Sequence, residues 1–106
     1  MQFIYIVRPT RIGMVTEGPT LEEMQVLGNH AGYLAQLAEE GTVLFGGRTR
    51  NNDANTLGLV LLFADSEAKA RTIMENDPAV AGGIMRGELF PYTIAFKSKA
   101  LDGIPD

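Results

Sequence analysis

Apolar and polar positions alternate with two different spacings along this chain, and each change of spacing marks an element. Residues Gln2 to Arg8 are mostly β-branched or aromatic and stop at Pro9, which predicts a strand. Pro9, Gly13, Gly18 and Pro19 then predict a loop, long enough to cover something. Thr20 followed three residues later by Glu23 is the capping-box pattern, so a helix should run from there to about Glu40 and end at Gly41. Its apolar stripe is Leu27, Ala31, Leu34 and Ala38, with Glu22, Gln25, Asn29, Gln36 and Glu40 opposite.

Residues 42–47 read as a second strand, 48–56 as a polar turn and 57–64 as a third strand. Ser66 caps a second helix through about Glu75, with Ala70, Ile73 and Met74 on its apolar side. A turn from Pro78 to Gly83 leads into a last strand, Met85 to Phe96. The order is βαββαβ. That order predicts an α+β, ferredoxin-like domain: a four-stranded antiparallel sheet with two helices on one face. Residues 1–97 form the expected domain and 98–106 a C-terminal tail.

The third strand is apolar on both sides, with Leu57, Leu59, Leu61 and Phe63 at one parity and Val60, Leu62 and Ala64 at the other. Helices cover only one face of such a sheet, so a half-solvated strand should alternate apolar with polar. Phe90, Tyr92, Ile94 and Phe96 supply a further alternating row. A second copy of the chain, packed sheet to sheet, is the simplest cover, and a homodimer is expected.

Composition narrows the function. The formal charge is −4 and the nine basic residues form no block, so no nucleic-acid surface is expected. No apolar run is long enough to span a membrane, the opening residues lack the basic start of a signal peptide, and a cytoplasmic protein is the expectation. There is no cysteine and only one histidine, so thiolate chemistry and a His-rich metal site within one chain are excluded. No dinucleotide or phosphate-loop motif is present, and no cofactor is expected.

The chemistry then centres on His30 and Asp77. His30 lies on the flank of the first helix shared by Val26 and Leu37, at the edge of the layer between helix and sheet. Gly28 and Gly32 bracket it, each costing a helix about 1 kcal/mol relative to alanine, which suits close backbone packing or room for a ligand. Asp77 sits where a helix should end, against the dipole, but followed by Pro78 it suits the N-cap of a following turn. A cap uses one carboxylate oxygen and leaves the other available. Arg86 shares parity with Glu88 and Phe90 and is a candidate for holding a substrate anion, with Arg8 and Arg48 at strand ends as further candidates. Tyr5 and Tyr92 are candidate pocket residues, and each has an ordinary core reading as well.

The helix with His30 at its middle, the strand leading into Gly46-Gly47, the Asp77-Pro78 pair and the terminal strand with Glu88 and Pro91-Tyr92 resemble the YCII family over about residues 2–96. Many members carry Gly-Pro after the second strand, where this chain has Gly46-Gly47-Arg48. The resemblance implies a dimeric α/β-barrel arrangement with His30 and Asp77 together in a cleft. It includes dehydrochlorinases of chlorinated hydroxyhydroquinones, and its fold group includes muconolactone isomerases. A cofactor-independent lyase or isomerase acting on a small molecule is the first reading, with His30 as general base or acid and Asp77 its partner. A non-catalytic dimeric metabolite-binding or accessory protein is the second.

Overall fold

In the computed structural model, which describes residues 1–101 and 103, strand β1 (Gln2–Pro9) runs through the interior of the sheet. Its alternation decides the core, because Phe3, Tyr5 and Val7 all turn to one face and are buried. After β1 come α1 (Gly13–Thr16), α2 (Leu21–Glu39), β2 (Val43–Arg48), β3 (Gly58–Phe63), α3 (Glu67–Glu75), α4 (Pro78–Ala81) and β4 (Met85–Pro91). The strands pair antiparallel in the order β2-β3-β1-β4, the ferredoxin-like arrangement.

Helix starts follow the expected chemistry. The Thr20 hydroxyl accepts from Glu23 N–H while the Glu23 carboxylate accepts from Thr20 N–H, completing the capping box. Ser66 caps α3 through Lys69 N–H. Gly41, at φ 82°, takes the left-handed position just past α2. Two short helices, α1 and α4, stand inside segments that read as loop and turn. Each is a single turn, too brief for an amphipathic pattern to register.

The last strand is shorter than its alternation suggested. Phe3 pairs with Pro91, so beyond that point β1 has almost no residues left to pair. Tyr92 N–H still reaches Gln2 O, and Ile94 N–H reaches the Gln2 side chain, but Phe96 is 96% exposed. The row Phe90–Phe96 is therefore no continuous sheet face. Of the expected tail, Lys99–Leu101 forms a 3-10 turn, and residues 102 and 104–106 lie outside the described residues.

The helix-covered face gathers Phe3, Tyr5, Val43, Val60 and Leu62 beneath Ala70 and Met74 of α3, with Leu34 and Leu37 of α2 at the margin. The opposite face carries a row that crosses all four strands in register, Phe45–Leu61–Ile4–Phe90. Leu61 is buried between its neighbours, while Phe45 and Phe90 at the two edges stay 47% and 43% exposed. Among the described residues no helix is long and apolar enough to cross a membrane.

Candidate functional site

Three separate elements converge on Asp77. The chain leaves α3 with Asp77 N–H bonded to Met74 O, and Pro78 then starts α4 with Asp77 as its N-cap. That places the carboxylate inside the protein at 0% exposure, where an ionised group needs partners on both oxygens. Oδ1 accepts from Ala79 N–H at 3.0 Å and meets His30 Nδ1 at 2.6 Å. Oδ2 accepts the Tyr5 hydroxyl at 2.7 Å. Asp77 is thus both cap and histidine partner, but its oxygens are shared differently from the simple expectation. One oxygen serves the cap and the imidazole together, and the other takes a phenol from the middle of β1.

A carboxylate can only accept, so the contact calls for a proton on Nδ1 of His30, and in a neutral ring so arranged Nε2 has the lone pair. His30 is half-buried at mid-α2, its side chain 18% exposed, and it borders a cavity of about 560 Å³ between α2 and strands β2 and β3. Tyr5 lies behind Asp77 and is absent from that cavity's wall. Burial first, then the neighbouring Asp77 carboxylate, raises its phenol above the usual range and keeps it a hydrogen-bond donor. Tyr33 donates to Ile73 O at 2.7 Å, and burial together with Asp77 raises its phenol as well.

The cavity is apolar above and below, with Leu27 and Leu34 from the helix and Val43 and Val60 from the sheet. Met14, Val15 and Pro19 of the loop around α1 close one end. The loop is held by Arg11, whose Nε donates to Glu23 Oε2 at 3.0 Å and whose Nη2 reaches Gly18 O. Hydrogen bonds from Arg11, then from Thr20 N–H, bring the Glu23 carboxyl down to about 2. The sequence marked this loop as a cover without naming Arg11 or Met14. Its length was the only available signal, because the Arg11–Glu23 pairing spans a turn that no periodicity describes.

The three arginines separate. Arg48 stands opposite Gly58, which stands opposite Val7, so it shares the helix-covered face and borders the cavity. Arg8 and Arg86 pair with each other in register at the opposite parity, on the far face of the sheet. Arg8 is bonded there to Glu88 at 2.9 Å. The expectation that Arg86 opens onto the histidine cleft is corrected by this register: parity with Phe90 points it away from the helices, since the helix-covered residues of β4 are Met85, Gly87 and Leu89. Tyr92 lies beyond the end of β4 and is 45% exposed. Among the described residues, no group of three or more His, Cys, Asp or Glu side chains is placed to hold a metal ion.

Among solved structures, the chain is similar to 5-chloro-2-hydroxyhydroquinone dehydrochlorinase (TftG) from Burkholderia phenoliruptrix AC1100, in complex with 2,5-dihydroxybenzoquinone. The two are 22% identical, the TM-score is 0.64, and the match covers 88% of this chain and 94% of that one. At that identity the likeness speaks for the shared fold. A comparison with curated protein sequences gives no match. The model of the YCII-related domain matches residues 8–92, from the end of β1 through β4 and with both members of the His30–Asp77 contact, and the chain belongs to that family.

Proposed function

We propose that the protein is a small-molecule lyase or isomerase that works by general acid/base proton transfer at His30. The observation that carries this reading is the 2.6 Å contact of His30 Nδ1 with the buried Asp77 carboxylate, beside a cavity of substrate size. Asp77 holds the imidazole in the tautomer whose Nε2 accepts a proton, and Tyr5 holds Asp77 through its other oxygen. Nε2 takes a proton from a carbon next to a carbonyl, and the C–H electron pair is delocalised onto the carbonyl oxygen as an enolate. If the neighbouring carbon bears chlorine, that pair forms the C=C bond and chloride departs with the C–Cl electrons. The net loss is then HCl, with the histidine proton released to solvent. If no leaving group is present, the proton returns at another carbon and the product is an isomer. Both outcomes need only the residues named. The dehydrochlorinase of the same fold supports the first by analogy.

The active form on this reading is a cytoplasmic homodimer joined through the far face of the sheet, where the Phe45–Leu61–Ile4–Phe90 row needs a cover. Sedimentation equilibrium of the parent protein and of Ile4→Glu should give a dimer and a monomer respectively.

The proton-transfer reading is tested by ¹⁵N and ¹H NMR of the single imidazole. A protonated Nδ1 with a downfield, slowly exchanging proton that disappears in Asp77→Asn is the expected result. An Nε2–H tautomer, or a spectrum indifferent to Asp77→Asn, removes the base from the mechanism.

A further inference from the structure

The cavity is larger than a single ring requires, and its polar groups are widely spaced. Tyr5, which reaches up to Asp77 and so lies beneath the histidine pair, belongs to a row of the sheet that includes Val60 and Gly46. The next row on the same face is Gly87, Val7, Gly58 and Arg48. His30 is therefore stationed over β1, and Arg48 stands two strands away on the edge. At about 4.8 Å per strand that is a separation on the order of 10 Å across the sheet.

Apart from His30 and Arg48, the one polar side chain among the described residues of the lining is Thr56, whose hydroxyl is already engaged with Asn51 O and Asp53 N–H. Arg48 is anchored by the turn that follows it, with Nε donating to Thr49 O at 3.0 Å and Nη2 to Asn52 Oδ1 at 2.6 Å. No carboxylate of the described residues pairs with it, so the guanidinium charge is open to a ligand anion. Gly46 and Gly47 precede Arg48 on the edge strand, and a methyl group at Gly47 would meet nothing within 4 Å.

We propose that the cavity binds an extended amphipathic carboxylate. Arg48 holds its anionic head, and an apolar body on the order of 10 Å long lies between α2 and the sheet. The carbon that reacts, next to a carbonyl, stands at the far end, beside His30. This rests on the preceding reading for the cavity's being the substrate site, and it goes further by naming the substrate class and a specificity residue. It also separates this chain from enzymes whose substrate is one compact ring.

Calorimetric titration with straight-chain carboxylates from butanoate to decanoate, and with the matching neutral amides, tests the proposal. Affinity should rise roughly threefold to fourfold per methylene across the series. Decanoate should bind about tenfold or more tightly than decanamide, the scale of a charge-assisted contact. Arg48→Leu, a change at an exposed strand end, should abolish that preference while leaving decanamide affinity as it was. Equal binding of butanoate and decanoate, no binding at all, or a carboxylate preference that survives Arg48→Leu overturns the proposal. His30→Ala separates the two readings, because it should retain decanoate. Retention together with an Nε2–H tautomer in the parent protein would sink the proton-transfer reading alone. An Nδ1–H tautomer sensitive to Asp77→Asn, together with chain-length-independent binding, would sink the carboxylate proposal alone.

Discussion

One helix-covered sheet face contains two different kinds of packing. Over β1 and β4, helix α3 lies so close that a methyl group on Gly87 would come within 2.8 Å of Met74 Sδ, and Ala70 and Met74 are buried. Over β2 and β3, helix α2 stands off. It is 19 residues long, yet its single buried residue is Glu23 at the first turn, and beneath it lies the 560 Å³ cavity. Close packing maximises dispersion contacts and fixes one geometry, whereas a stand-off helix gives up that stabilisation and keeps space. His30 and Asp77 meet on the seam between the two regions. The rigid half presents the carboxylate, and the open half presents the imidazole to a ligand.

The largest expected effect breaks the seam. Asp77→Ala removes the acceptor of Tyr5, His30 and Ala79 N–H together and should cost about 3 kcal/mol or more in urea unfolding. Within the packed half, Met74→Ala should cost about 2–5 kcal/mol, while Leu34→Ala at the cavity wall should cost about 1 kcal/mol because it faces space already present. Equal losses at the two positions would erase the contrast between the halves. Gly28→Ala and Gly32→Ala should each stabilise by about 1 kcal/mol, since a methyl at either position meets nothing within 4 Å and helix propensity alone decides. Thermal melts would show it, and destabilisation would mean that another molecule occupies that surface.

The smallest effect concerns the loop that closes the cavity. Glu23 has a folded value of about 2 against an ordinary 4.5, so the stability that it contributes is present above about pH 4.5 and lost as the pH falls toward 2. Protection of residues 13–17 against hydrogen exchange, taken relative to the intrinsic rate at each pH, should fall through that window in the parent protein. In Glu23→Gln it should be lower from the outset and unchanged across the same window.

What the sequence determined by itself is the local chemistry of each element. The capping box at Thr20, the Ser66 cap, the Asp77-Pro78 start and the period-two run of β1 act within a few residues, so their outcome is written in adjacent positions. From these the βαββαβ order along the chain and the ferredoxin-like class followed, and His30 could be placed at the edge of the layer between helix and sheet. Contacts across dozens of residues were decided only by the tertiary structure. The register of β4 against β1 sent Arg86 to the far face, and β1 running out at its N-terminus ended the last strand at Pro91. The register of β2 against β3 kept Arg48 on the cavity side. Tyr5 and Asp77 are 72 positions apart, and only the stacking of the α3–α4 junction over the middle of β1 brings phenol and carboxylate together. Parity along a strand says which residues share a face; which face meets the helices is settled when the whole sheet buries its larger apolar area.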